Sequence, residues 1–186
     1  MNFFQPLKPF IVNQYFGENK VCVNDDLKIL NCDGKNPPTG YRSLYGEKGH
    51  TGLDLLAARG QEIYCAQRGT VKFIDTNPKS GLDVRIESVI NGEVYLHIYE
   101  HLLGYVHPVG TFVETGEILG WADNTGYSSG DHLHFEIRKN GEAFDPIPLL
   151  ADAFAKDILA INHTLKYLTE QIALLADRIG DYLRRK

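Results

Sequence analysis

The chain has 186 residues, 43% of them apolar, enough for one ordinary domain with its own core and, at most, an appendage. Its 24 acidic and 19 basic residues leave a net charge of -5, and no basic block is present to track a phosphate backbone, which argues against nucleic acid as a partner. Three cysteines cannot all pair with one another, and their spacing fits no cysteine-rich metal module.

The N-terminal stretch MNFFQPLKPFIVNQYFG has no basic start and is broken by Pro6 and Pro9, so no signal peptide is expected. Nowhere is there an apolar run of the ~18 residues a membrane-spanning helix needs, so no membrane span is expected. From Gly17 to Gly49 turn formers (Asn24-Asp25-Asp26, Asp33-Gly34, Asn36-Pro37-Pro38, Gly40) replace periodic apolar positions. The expectation there is a long loop that forms one wall of a binding groove. Cys22 and Cys32 flank its polar part, as a disulfide or as free thiols, whereas Cys65, in the apolar run from Ile63 to Ala66, reads as a core residue.

Between about residues 53 and 145 short β-branched and aromatic runs alternate with glycine-rich turns. The runs are Glu62 to Ala66, Thr70 to Asp75, Asp83 to Ser88, Val94 to His101, Glu117 to Trp121 and His132 to Arg138, with tight hairpin turns expected at Asn91-Gly92 and Asn140-Gly141. The fold class is therefore mainly β, a compact antiparallel sheet or sandwich over residues 1–148. After Pro146 and Pro148 the pattern changes. Phe154, Ile158, Ile161, Leu165, Leu168, Ile172, Leu175, Ile179 and Tyr182 recur in steps of three and four, which predicts a C-terminal helix over 149–186 with a heptad seam. Such a seam needs a partner: its own sheet, a second helix in a hairpin, or copies of itself in a coiled coil that makes a homo-oligomer.

Five of the seven histidines fall in three motifs. In His50-Thr51-Gly52-Leu53-Asp54 the even spacing puts an imidazole and a carboxylate on one face of an extended stretch, with Gly52 leaving room before them. In His132-Leu133-His134-Phe135-Glu136-Ile137 strand alternation sends Leu133, Phe135 and Ile137 to the core and His132, His134 and Glu136 to the other face. The same reading of the run Val94 to Leu102 places Val94, Leu96 and Ile98 inward and Tyr95, His97, Tyr99 and His101 outward.

Zinc takes nitrogen and carboxylate ligands in a tetrahedron, and a catalytic site keeps three protein ligands and one open position for water. A histidine, an aspartate and one member of the His-x-His pair supply that number, and the other member reaches the water. Strand geometry alone leaves open which of His132 and His134 is the ligand. It also leaves Glu136 open, with a hydrogen bond to a ligand from behind as its expected role.

These motifs resemble a known family, the lysostaphin-like zinc metalloendopeptidases that cleave peptidoglycan peptides. The stretches that carry the resemblance are GHTGLDL, YEHL, VGTFVETGEILG and GWADNTGYSSGDHLHFEIRKNGEAFDP, in the family's order. The resemblance implies His50, Asp54 and His134 as ligands of one zinc ion, and His101 and His132 as the catalytic pair acting on the water and the oxyanion. It implies a compact, mostly antiparallel β domain. His97 is given a supporting role at most, and His107 and His163 are read as surface residues. The C-terminal helix lies outside the matched pattern. The expected function is hydrolysis of peptide cross-links in bacterial peptidoglycan, acting at the cell wall as a phage lysin or a virion-associated wall degrader. The alternative is an assembly protein that binds wall peptides with the same fold and does not cut them.

Overall fold

Among the described residues ten strands form, and β3, β4, β5, β6, β8 and β9 coincide with the expected β-branched and aromatic runs: β1 Val12–Gln14, β2 Leu53–Leu56, β3 Glu62–Tyr64, β4 Gly69–Asn77, β5 Gly81–Ile90, β6 Glu93–Tyr105, β7 Phe112–Val113, β8 Ile118–Ala122, β9 His132–Lys139 and β10 Glu142–Phe144. The computed structural model describes residues 3–17, 49–151, 164–172 and 175. Every strand pairing is antiparallel. The main path runs β1-β2-β9-β6-β5-β4-β7, with β10 added to β9 and a β3–β8 branch attached to β6. The mainly antiparallel β fold expected from the sequence is the one observed.

Both expected hairpin turns are present. Asn91 (φ 53) and Gly92 (φ 80) join β5 to β6, and Asn140 (φ 52) and Gly141 (φ 82) join β9 to β10. Two consecutive positive φ angles give the turn the hand of twist that the flanking strands require, and asparagine followed by glycine tolerates them best.

The three central strands share a core face. Register pairs Leu53 with Phe135 and Leu55 with Leu133 across β2 and β9. It then pairs Phe135 with Tyr99 and Ile137 with His97 across β9 and β6. All seven side chains are buried. The opposite face carries Asp54, His132, His134 and Glu136, together with Glu100 and Ile98 of β6.

This register corrects the reading of β6. His97 and Tyr99 lie on the core face, and Ile98 lies on the other, while Val94 is exposed. Both faces of this strand are covered, so apolar residues fill both sets of alternate positions and the period-two signal names no polar side. Tyr99 tolerates the core because its hydroxyl accepts a hydrogen bond from the Ala66 amide at 2.8 Å. Cys65 is a buried free thiol, as expected. Burial pushes it up to about 12, and it donates to the Gln67 carbonyl.

The chain divides into two compact units, Met1–Leu150 and Ala151–Lys186. In the second, residues 164–172 are helical, and the seam residues Leu165, Leu168, Ile172 and Leu175 are exposed. The remaining seam positions, the expected loop between Gly17 and Gly49 with Cys22 and Cys32, and His163 lie outside the described residues. Among the described residues no helix is long and apolar enough to cross a membrane.

His97 is fully buried beside the Phe3 ring, centroids 5.9 Å apart, and neither ring nitrogen has a hydrogen-bond partner among the described residues. Burial pushes the imidazole down to about 3 from an ordinary 6.5. Below the ordinary value the unfolded chain takes up a proton that the folded chain refuses, so stability falls with pH by about 1.4 kcal/mol per unit. His97→Leu removes this dependence. Urea unfolding should show the variant gaining about 2 kcal/mol on the native chain between pH 7 and pH 5; parallel pH dependences would show that the imidazole is not kept neutral.

Candidate active site

The site is built on the antiparallel pair β2 and β9, where Asp54 stands opposite His134 and Leu56 opposite His132. Directly opposed side chains on one face of a sheet lie close enough to touch. His50 reaches the same place from the segment leading into β2. Gly52 is needed between them, because a Cβ there would come within 2.4 Å of the Phe135 carbonyl oxygen and 3.0 Å of His134 Nε2.

Three donor atoms converge. His50 Nε2 lies 3.1 Å from Asp54 Oδ1 and 3.1 Å from His134 Nδ1, and His134 Nδ1 lies 2.8 Å from Asp54 Oδ1. At zinc–ligand distances of about 2.0 to 2.1 Å the edge of a tetrahedron is about 3.3 to 3.4 Å. The triangle is therefore close to one face of such a tetrahedron. Both imidazoles are buried, and Asp54 keeps partial access to solvent.

Groups behind the donors set their protonation. His50 Nδ1 donates to the Tyr15 carbonyl at 3.1 Å, which leaves Nε2 as the lone-pair nitrogen. His134 Nε2 faces Glu136 Oε2 at 3.6 Å, and the other Glu136 oxygen is held by the Arg138 guanidinium. Burial pushes the His134 imidazole down, but hydrogen bonds to Asp54 and Glu136 outweigh it and hold the group at about 10. Burial likewise raises the Asp54 carboxyl, and the hydrogen bonds to His134 and His50 return it well below the usual carboxylate range. Glu136 follows the same balance, burial raising it and His134 and Arg138 bringing it to about 2. The pocket thus favours a cation between its carboxylates. A proton meets that demand in one form, and a divalent metal competes for the same lone pairs. Two imidazole nitrogens and a carboxylate oxygen are a donor set that suits zinc.

His101 arrives by a different route. Strand β6 carries one more residue than β5 between the register pairs Leu82–Leu102 and Val84–Tyr99, and His101 within this bulge has φ 67. Plain alternation would send His101 to the core side with His97 and Tyr99. The bulge turns it to the other side instead, where its ring lies 4.6 Å from that of His132 and 6.2 Å from that of His134. His101 Nδ1 donates to the Thr125 carbonyl at 2.7 Å, leaving Nε2 with the lone pair. Burial first, and then the neighbouring His132, push the imidazole down to about 4, so it is neutral at pH 7. His132 Nδ1 lies 2.8 Å from the Gly130 carbonyl, and its Nε2 lies 3.6 Å from Asp54 Oδ1.

The structure thus brings His50, Asp54 and His134 into one potential metal cluster, with His132 and His101 beside it. His97 belongs to the core and takes no part. His107 lies elsewhere, against the Ile118 carbonyl at 3.1 Å. Sequence reasoning missed the backbone acceptors Tyr15, Thr125 and Gly130, because a carbonyl carries no residue signature. It also missed Glu100, which stands opposite His134 across β6 and β9 and helps to raise it.

Residues 48–146 match the model of Peptidase family M23. The peptidoglycan DD-endopeptidase ShyA of Vibrio cholerae is 27% identical over 128 residues, which are 67% of this chain and 29% of that protein. The catalytic domain of the antimicrobial peptidase lysostaphin from Staphylococcus simulans aligns with a TM-score of 0.53 at 30% identity, covering 58% of this chain and 83% of that one. A zinc-containing peptidase from Vibrio cholerae aligns with a TM-score of 0.59 at 25% identity, covering 78% of this chain and 39% of that one. The chain spans about a quarter of the length of the curated relatives it matches. The family match takes in the whole stretch that holds His50, Asp54, His101, His132 and His134, and the chain belongs to peptidase family M23.

Proposed function

We propose that this chain is a zinc-dependent endopeptidase that hydrolyses peptide bonds in bacterial peptidoglycan. In this reading His50, Asp54 and His134 hold the metal, and His101 and His132 act on the water and the developing oxyanion. The observation that carries it is the triangle of donor atoms, 2.8 to 3.1 Å on each edge, with each histidine's second nitrogen engaged from behind. Peptidoglycan as substrate is supported by the similarity to ShyA, whose name gives that substrate. Residues 149–186 are taken as a helical appendage to a peptidase domain of residues 1–148, in keeping with the helical stretch 164–172.

A zinc ion bound there supplies Lewis acidity, acidifying a water molecule and polarising the scissile carbonyl. The protein's own contribution is positional and protonic. His101, neutral and with Nε2 unprotonated, takes the proton from the attacking water as general base. His132, beside it and held by Gly130 through Nδ1, turns Nε2 towards the site and stabilises the developing charge as a donor when that nitrogen carries a proton. Glu136 keeps the proton of His134 on Nε2, so that Nδ1 stays available to the metal.

Metal analysis and single-site variants test the division of roles. His134→Ala and Asp54→Ala should each abolish stoichiometric zinc, whereas His101→Ala should keep zinc and lose about 10²- to 10⁴-fold in kcat on isolated cell walls. Equal loss of metal in all three would refute the assignment. Glu136→Gln should weaken zinc binding by about 10- to 100-fold in a competition titration with a chelator dye; an unchanged affinity would remove Glu136 from the site. Wall suspensions should stop clearing on chelation and resume with added zinc. Binding to walls without any release of peptides would identify a non-cutting wall-binding protein instead.

A further inference from the structure

We propose that Thr125 is the positioning residue for His101, using its hydroxyl to close the β6 bulge and its carbonyl to fix the imidazole. The inference rests on the peptidase reading for its kinetic consequence, and on geometry alone for its structural one.

A bulge interrupts the ladder on both sides of β6. Register shifts between Leu82 and Val84 on the β5 side and between Leu102 and Gly104 on the β8 side. Nothing in an isolated strand would keep a histidine at φ 67, a conformation that non-glycine residues adopt only when their surroundings impose it. The Thr125 hydroxyl supplies that constraint. It accepts from the Leu82 amide at 3.1 Å and donates to the Leu102 carbonyl at 2.9 Å, so one side chain ties β5 to β6 at the register pair next to the bulge. The carbonyl of the same residue accepts from His101 Nδ1 at 2.7 Å.

The loop has no freedom to point Thr125 elsewhere. A Cβ on Gly81 (φ 64) would lie 2.3 Å from Thr125 Oγ1, and one on Gly126 (φ 78) would lie 2.1 Å from the Gly81 amide nitrogen. The two backbones therefore meet directly, and only glycine fits at each point of contact. The Tyr127 amide donates to the Lys79 carbonyl at 2.8 Å, and the His101 amide donates to the Ser80 carbonyl at 2.9 Å. The turn at residues 79–81 thus clamps the loop and the bulge together. With the hydroxyl bound on both sides, the Thr125 carbonyl is held towards the imidazole, and His101 keeps its proton on Nδ1.

The test compares Thr125→Val, which keeps shape and removes the hydroxyl, with Thr125→Ser, which keeps the hydroxyl, in the full zinc-loaded chain. Three readouts are taken: zinc stoichiometry, kcat and KM on isolated walls, and the His101 ring nitrogen shifts by NMR. Thr125→Val should keep zinc and KM, lose at least ~10-fold in kcat, and move His101 from a single tautomer with the proton on Nδ1 to a mixture. Thr125→Ser should restore both kcat and tautomer to within about twofold of the native chain. Should Thr125→Val fail to fold, Thr125→Ala takes its place in the same readouts. Native tautomer and kcat in the hydroxyl-free variant would overturn the proposal, as would equal impairment in Thr125→Ser. If the native chain does not cut walls, the tautomer comparison still decides the positioning role, and only the peptidase reading falls.

Discussion

The rest of the site depends on the partly buried carboxylate of Asp54. Its Oδ1 lies within 3.6 Å of three imidazoles, those of His50, His132 and His134. A carboxylate largely withdrawn from water has to be compensated by positive charge or by hydrogen-bond donors. The neighbouring imidazoles supply protons in one state and lone pairs for a cation in another. Removing Asp54 would leave three imidazoles facing one another without the carboxylate oxygen they share. The same balance gives Glu136 its place, since it compensates the far side of His134 and is itself compensated by Arg138.

Strand pairing delivers these groups with little local freedom. Asp54 and His134 are opposed in a two-strand ladder whose other face is packed with Leu53, Leu55, Leu133 and Phe135. A slip of one residue would bury the polar set and expose the apolar one, so the core holds the register and the register holds the site. The close backbone approach at Gly52 follows from the same pairing, because the segment carrying His50 passes against the Phe135 carbonyl. Core packing and site geometry are two faces of one ladder.

His101 obeys a different logic. It sits on a strand whose alternation would place it in the core, and a one-residue bulge reverses its direction. Bulges are a recurrent way to re-aim a single side chain without moving the sheet. The result is a neutral imidazole beside the candidate metal cluster, approached from a strand that otherwise contributes core residues. The loop that closes over it, from residue 123 to residue 132, is pinned at both ends by hydrogen bonds between the Asp123 amide and the His101 carbonyl, and between the His132 amide and the Asp123 carbonyl.

The fold class and the polar face of β9 were legible in the sequence because both rest on local periodicity. Alternation in HLHFEI fixes which residues share a face, and Asn-Gly fixes two hairpins, since each depends only on residues adjacent in the chain. His50 and Asp54 were legible as a pair for the same reason. Strand β6 was not, because it is covered on both faces and carries a bulge, so alternation assigned His97 and Tyr99 to the wrong side. The choice between His132 and His134 as the histidine facing His50 and Asp54 was also a matter of tertiary structure. Register opposes His134 to Asp54, and no property of a His-x-His repeat contains the register of its partner strand. The sequence alone determined which side chains were available and which neighbours shared a face. Long-range pairing decided which of them meet, because distances between residues 50, 54, 101 and 134 are set by contacts that no local pattern encodes.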